Sequence, residues 1–310
     1  MYNYENSGVN IKKADNIIKN IKKNFKNGNL ENFAGMYCNN ELFKGYNFVS
    51  CTDGIGSKII PLIKYNKPKT IAQDLIAMNL NDLITLGAKP LFFLDYIAVN
   101  SLENNMDVFI QNVIEALKQE LKKYSCMLLG CEISELKDLI KENYFDIAGF
   151  LVGYFKENYL DRNKTKAKDI VVAFPSNGIH SNGFSLIRKL YQDKKINEET
   201  FKKSLEPTKI YYDTVEKLIS KNLIKSAANI TGGGILSNLK RSVQPDLKLN
   251  LDYNSIPKQE IFEIIKNFVE IDECYKVFNM GVGFCVVADK NNVDEILKIE
   301  KNAFILGELS

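Results

Sequence analysis

A chain of 310 residues with 45% apolar and 25% charged residues has the make-up of a folded protein and lies outside the disordered regime. Its formal net charge of +3, with lysines scattered rather than collected in one tract, gives no electrostatic footprint for nucleic acid or an anionic membrane. A single histidine excludes a histidine-rich metal site, so any metal is expected on carboxylates, which favours magnesium over zinc.

The length suits two domains better than one core. The N-terminus, MYNYENSGVNIKKADNI, has acidic and amide residues where a secretory signal has an apolar core, and no run approaches the roughly 18 apolar residues of a membrane span. Six cysteines, at 38, 51, 126, 131, 274 and 285, form no CxxC pair and sit mostly within apolar segments. They read as free thiols in a reducing, cytoplasmic setting.

In chain order, Ile11, Ile17, Ile18, Ile21 and Phe25 recur at helical spacing over 11–25, with lysines between them. Residues 46–51 read as a strand running into the polar loop TDGIGSK, 70–86 as a helix stopped at Gly87, and 91–99 as a buried strand. An amphipathic helix follows from about 105 to 124, then apolar segments at 126–130 and 145–155. The lysine-rich stretch 156–169 is the expected boundary, giving domains over 1–160 and 161–310. Beyond it come a strand-to-helix unit at 170–191, a helix around 208–220, the run TGGG at 231–234, a helix near 259–270, a strand at 281–288 and a final FILGEL. Strands alternating with helices indicate α+β or α/β domains. No strand leads into GxGxxG, so a dinucleotide-binding fold has no support.

Several polar groups sit where chemistry would need them. Asp53, Gly54, Gly56, Ser57 and Lys58 put a carboxylate and an ammonium at the mouth of a sheet, with glycines that let backbone N–H groups approach a phosphate. The string equally fits a structural turn, and it is not GxxxxGK[ST]. On the 70–86 helix Asp74 and Asp82 lie about 80° apart in projection, with Asn81 on the side of Asp74. Ionised groups on an apolar helix need partners, although Asp74 also suits an N-cap. Asp95 interrupts an apolar strand and must be paired or face a cleft. Glu132 is a further carboxylate, or a strand-end surface residue. In the second half His180, Ser181, Asn182 and Gly183 precede a helix, as do Thr231, Gly232 and Gly233. Both loops suit an anionic substrate group, and His180 also suits a local turn.

The blocks YENSGVNI (4–11), VSCTDGIGSK (49–58), DLIAMNLNDLITLGAKPLFFLDY (74–96), FDIAGFLVG (145–153), PSNGIHSNGFSLIRK (175–189), LEPTKIYY (205–212), NITGGGILSNLKR (229–241) and FNMGVGF (278–284) resemble the phosphoribosylformylglycinamidine cyclo-ligases of purine biosynthesis in order and spacing. The resemblance implies a two-domain α+β fold with a C-terminal α/β-type sandwich. It further implies a homodimer whose N-terminal sheets join in a shared barrel. It places the chain in a superfamily with selenophosphate synthetase, thiamine-monophosphate kinase and a hydrogenase maturation factor. The implied reaction uses ATP and Mg²⁺ to close formylglycinamidine ribonucleotide into aminoimidazole ribonucleotide, by phosphoryl activation of the formyl oxygen.

By position, the resemblance puts Asp53, Gly54, Gly56, Ser57, Lys58, Asp74, Asn81, Asp82 and Glu132 on the ATP side, with Asp53, Asp82 and Glu132 on the metal. His180, Ser181, Asn182, Gly183, Thr231, Gly232 and Gly233 fall on the ribonucleotide side, and Asp53, Lys58 and His180 carry the implied catalytic roles. The chain departs from the family pattern in GCEISELKD (130–138), where GGETAEMPG is usual, and in Asn229, where a histidine is usual. Cys38, in YCNNE, does not resemble the reactive cysteine of a selenophosphate synthetase, and HSNG is not expected of a thiamine-monophosphate kinase.

Overall fold

The computed structural model describes residues 34–38, 45–156 and 159–310. The helix expected over 11–25 lies outside the described residues.

The first sheet has the order β1-β2-β5-β3-β4, formed by β1 (Gly35–Cys38), β2 (Asn47–Gly54), β3 (Lys89–Val99), β4 (Met127–Glu135) and β5 (Phe145–Phe155). Only β3 and β4 are parallel in it, joined by the crossover helix α3 (Met106–Lys123). That helix buries Met106, Ile110, Val113, Leu117 and Leu121, a four-three-four-four spacing that is one helical stripe. After the short α1 (Ile59–Lys64) comes α2 (Pro68–Ile84), which starts on a proline whose missing N–H would be unpaired there anyway. Ile71, Leu75, Ile76, Leu80 and Leu83 of α2 are buried, and so are the polar Asp74, Asn79 and Asn81. A helix buried on most of its circumference is a central one: α2 packs on β2, β5 and α3 and also on the second domain's α6 (Tyr212–Ser220).

The second sheet has the order β7-β9-β6-β10-β8, from β6 (Ile170–Pro175), β7 (Ser226–Asn229), β8 (Leu249–Leu251), β9 (Val282–Ala288) and β10 (Phe304–Leu309). Every pairing in it is antiparallel, so the α/β-type sandwich expected for this half is replaced by an α+β layer. All seven residues of β9 are buried because both faces of the sheet are covered. Val172, Phe174, Phe284 and Val286 pack towards α6 and α10 (Val293–Ile299). Val171, Ala173, Cys285 and Val287 join the core that holds α4 (Phe184–Gln192).

Three boundaries differ from expectation for identifiable reasons. The apolar segment at 126–130 continues as strand to Glu135 because its parallel partner β3 runs on to Val99. The helix expected over 259–270 ends at Lys266 as α8 (Glu260–Lys266), and a separate helix, α9 (Ile271–Val277), follows it. The helix expected from 208 begins at Tyr212, because side chains of α2 take up the backbone groups of Thr208, Lys209 and Tyr211 (below).

Candidate active site

Asp53 lies in β2 directly opposite Gly149 of β5, and Gly149 lies opposite Asp95 of β3, which pairs with Cys131 of β4. Residues paired across strands share a face. A side chain on Gly149 would strike Phe93 and Asn79, so this row faces the helix layer. Asp95 is buried there, accepting a hydrogen bond from the Cys131 thiol at 3.0 Å, while its Oδ1 has no partner. Burial pushes the Asp95 carboxyl up and the thiol's hydrogen bond pulls it down.

The neighbouring row runs from Gly54 through Ala148 and Tyr96 to Glu132. Strand alternation turns it to the opposite face of the sheet. Glu132, expected beside Asp53 and Asp82 on a metal, therefore points away from Asp53, and the hydroxyl of Ser134 approaches its carboxylate at 3.4 Å. Among the described residues no three His, Cys, Asp or Glu side chains gather closely enough to hold a metal by themselves.

Asp53 and Asp82 lie within electrostatic reach of each other. Burial raises the Asp82 carboxyl to about 7, with the Asn229 amide lowering it, the Asp53 charge raising it and Arg241 lowering it. Crowding by protein also raises Asp53, against a 2.8 Å hydrogen bond from the Gly54 N–H. Asn229 ends β7 in the other domain and donates to Asp82 Oδ1 at 2.8 Å. Beside this contact Thr85, Arg162, Ser226 and Arg241 help to wall an interdomain cavity of about 250 Å³.

Lys58, Asp74 and Asn81 are placed otherwise than a phosphate site would require. All three are fully buried. The Lys58 ammonium lies 3.1 and 2.9 Å from the two Asp74 oxygens and donates to the Glu206 carbonyl at 2.6 Å. Asp74 also accepts from the Thr208 N–H (2.6 Å), while Asn81 accepts from the Tyr211 N–H (3.0 Å) and donates to the Lys209 carbonyl (2.9 Å). These polar side chains satisfy an otherwise unpaired segment of backbone from the second domain. Thr208, which sequence reasoning did not single out, extends the network: its hydroxyl is 3.1 Å from that of Ser181. Its one sequence signal is the LEPTKIYY block.

The glycine loops converge on the same seam. Ser57, in the short helical turn Gly56–Lys58, lies 3.1 Å from the hydroxyl of Ser185 in the first turn of α4. The side-chain amide oxygen of Asn182 stands beside Gly232. Gly183 and Gly233 lead in left-handed conformation into α4 and α7 (Gly234–Leu239), and Asn238 ties the Thr231, Gly232 and Gly234 carbonyls from below. His180 is 4% exposed with its Nε2 unpartnered, and burial, reinforced by Lys58 and Lys209, pushes its imidazole down to about 3. It is a neutral hydrogen-bonding group rather than a cation.

The seam thus sets a carboxylate pair from one domain against two backbone-rich loops from the other. Profiles described as AIR synthase related protein, N-terminal domain and C-terminal domain match residues 35–155 and 166–310. Among solved structures the fold resembles AaThiL complexed with AMPPCP and TMP, at TM-score 0.72 and 16% identity over 97% of this chain and 93% of that one. It also resembles phosphoribosylformylglycinamidine synthase II from Thermotoga maritima, at TM-score 0.60 and 14% identity over 86% of this chain and 41% of that one. In sequence it is 37% identical to the phosphoribosylformylglycinamidine cyclo-ligase of Caldanaerobacter subterraneus, over 99% of this chain and 97% of that protein. The protein of the same name from Clostridium tetani is 37% identical over 100% of this chain and 97% of its own. With identity of this level running from end to end through both domains, the chain belongs to the phosphoribosylformylglycinamidine cyclo-ligase family.

Proposed function

We propose that the protein catalyses the ATP-dependent closure of formylglycinamidine ribonucleotide to aminoimidazole ribonucleotide, releasing ADP and phosphate. The observation that carries this reading is the contact between Asp82 and Asn229, which brings the Asp53–Asp82 pair to the root of the TGGG loop in a chain with relatives of that name along its whole length. The N-terminal half serves ATP, magnesium and dimerisation, and the C-terminal half serves the substrate phosphate.

An amide oxygen is a poor leaving group, so transfer of the γ-phosphoryl to the formyl oxygen prepares that carbon for attack by the ring nitrogen-to-be, and phosphate then departs. Magnesium takes hard oxygens, usually one or two carboxylates completed by phosphate and water, and the crowded Asp53–Asp82 pair fits that demand. When bound, the metal supplies charge neutralisation on the phosphates. The TGGG and HSNG loops offer backbone N–H groups to the ribonucleotide phosphate, and neutral His180 orients the substrate by hydrogen bonding. Lys58 acts at one remove, by fixing the segment that carries Thr208, whose hydroxyl meets that of Ser181.

The chain works as a cytoplasmic homodimer on a small ribonucleotide, independently of nucleic acid and membrane. Support for the dimer comes from the outer face of the first sheet, where Tyr96, Met127 and Phe150 are 43%, 63% and 40% exposed. No helix among the described residues is long and apolar enough to cross a membrane. The test is ADP release with formylglycinamidine ribonucleotide, thiamine monophosphate or selenide supplied separately. Turnover with the first alone is expected. Turnover with either of the others instead, or with none, overturns the reading.

A further inference from the structure

Asn229 is 2% exposed, and its backbone is fixed on both sides. It pairs with Phe284 in the second sheet, and the next residue, Ile230, donates its N–H to the Gly283 carbonyl at 3.1 Å. The chain then enters Thr231-Gly232-Gly233 without an intervening residue. The side chain leaves its own domain, and its carboxamide donates to Asp82 Oδ1 at 2.8 Å. On the other side of the seam, Asp82 sits in the last turn of α2, and its backbone carbonyl accepts from the Thr85 hydroxyl at 2.6 Å. One hydrogen bond from an uncharged amide to a carboxylate therefore joins two rigid supports, the end of α2 and the end of β7.

We propose that Asn229 is a positioning residue for the cyclo-ligase reaction, holding the Asp82 carboxylate in its orientation towards Mg–nucleotide and keeping the TGGG loop in register with it. A buried hydrogen bond to a charged acceptor is stronger than a neutral one, and here it opposes the repulsion from Asp53. An amide supplies this donor without adding a charge of its own. The inference rests on the reading that Asp82 belongs to the nucleotide side.

Three variants test it by calorimetric titration of the full-length protein with Mg–AMPPCP, alongside steady-state kinetics. Asn229→Leu keeps the volume and removes the donor. It should weaken Mg–AMPPCP binding by about tenfold to a hundredfold and raise KM for ATP in parallel, with the melting temperature lowered by only a few degrees. Asn229→His, which restores a ring N–H donor, should recover most of the affinity. Asp82→Ala separates the two levels of the argument. If it leaves Mg–AMPPCP binding unchanged, the assignment of Asp82 to the nucleotide fails and the proposal falls with it. If Asp82→Ala abolishes binding while Asn229→Leu leaves it intact, the assignment stands and the positioning role is overturned. Loss of folding in Asn229→Leu with no recovery in Asn229→His also overturns it, because a structural role alone accounts for that pattern.

Discussion

The Lys58 ammonium lies 2.9 Å from an Asp74 carboxylate oxygen with neither side chain exposed to solvent. The pair is closed by two backbone groups of the second domain, the Glu206 carbonyl and the Thr208 N–H. A buried ion pair adds little net stability against an apolar replacement of equal volume, yet removing one partner strands a charge. Lys58→Met should therefore lower stability by about 3–5 kcal/mol, read as a shift in urea midpoint. Adding Asp74→Asn, which keeps an acceptor for Thr208, should recover part of that loss. A Lys58→Met protein of unchanged stability with a greatly raised KM for ATP would show instead that the ammonium reaches the phosphates.

His180 gives a pH dependence with a definite sign. Its folded value of about 3 lies below the roughly 6.5 of an unfolded histidine. Between those values the unfolded chain holds a proton that the native protein lacks, so stability is full above about 6.5 and falls as the pH drops through the window. The slope is at most about 1.4 kcal/mol per pH unit. As the chain's single histidine, it can be followed without assignment. Its ring proton shifts should stay constant from about pH 8 to about pH 5, and His180→Asn should flatten the stability slope below about 6.5. A titration centred near 6.5 in the folded protein would refute the burial argument.

Much of the scaffold was legible because it is local. The apolar segment read at 145–155 coincides with β5, and the helix read at 70–86 is α2 displaced by two positions. The roles of Lys58, Asp74 and Asn81 were not legible. Their residue types suit phosphate and metal, and what satisfies them is a backbone segment some 130 positions away that no local pattern announces. Glu132 misled for a related reason. Which face it takes depends on the register of β4 against β3, where an irregularity between Phe93 and Leu94 resets the pairing. Asp82 was singled out by its place on the 70–86 helix, but its link to Asn229 needed the two domains in place.

Two glycines in left-handed backbone should respond differently to alanine. Gly234 has φ of +71°, and a β-carbon there would overlap the Tyr275 carbonyl, a backbone atom that cannot step aside. Gly56 has φ of +68°, with open space around the same position. Gly56→Ala should lose only the conformational penalty of about 1–2 kcal/mol, and Gly234→Ala should lose overpacking as well, roughly 2–5 kcal/mol in all. Because Gly234 heads α7, its variant should also lose affinity for the ribonucleotide before it loses affinity for ATP. Equal melting temperatures for the two variants would contradict the geometry.

The outer face of the first sheet supplies the last test. Phe150 lies opposite Thr52 and Leu94, on the face away from α2, and is 40% exposed. Burial on the order of 1,200–2,000 Å² in total is needed for a stable pairing, and a sheet face carrying Tyr96, Met127 and Phe150 can provide it only if a second copy covers the strands side by side. A carboxylate at the centre of that face would be buried without a partner in such a dimer and meets only water in a monomer. Phe150→Asp should therefore convert a dimer to monomer in sedimentation velocity while leaving the circular dichroism unchanged, since the side chain contributes nothing to the inner core. A wild-type protein that sediments as a monomer at micromolar concentration would refute the shared barrel, and a dimer that survives Phe150→Asp would place the interface elsewhere.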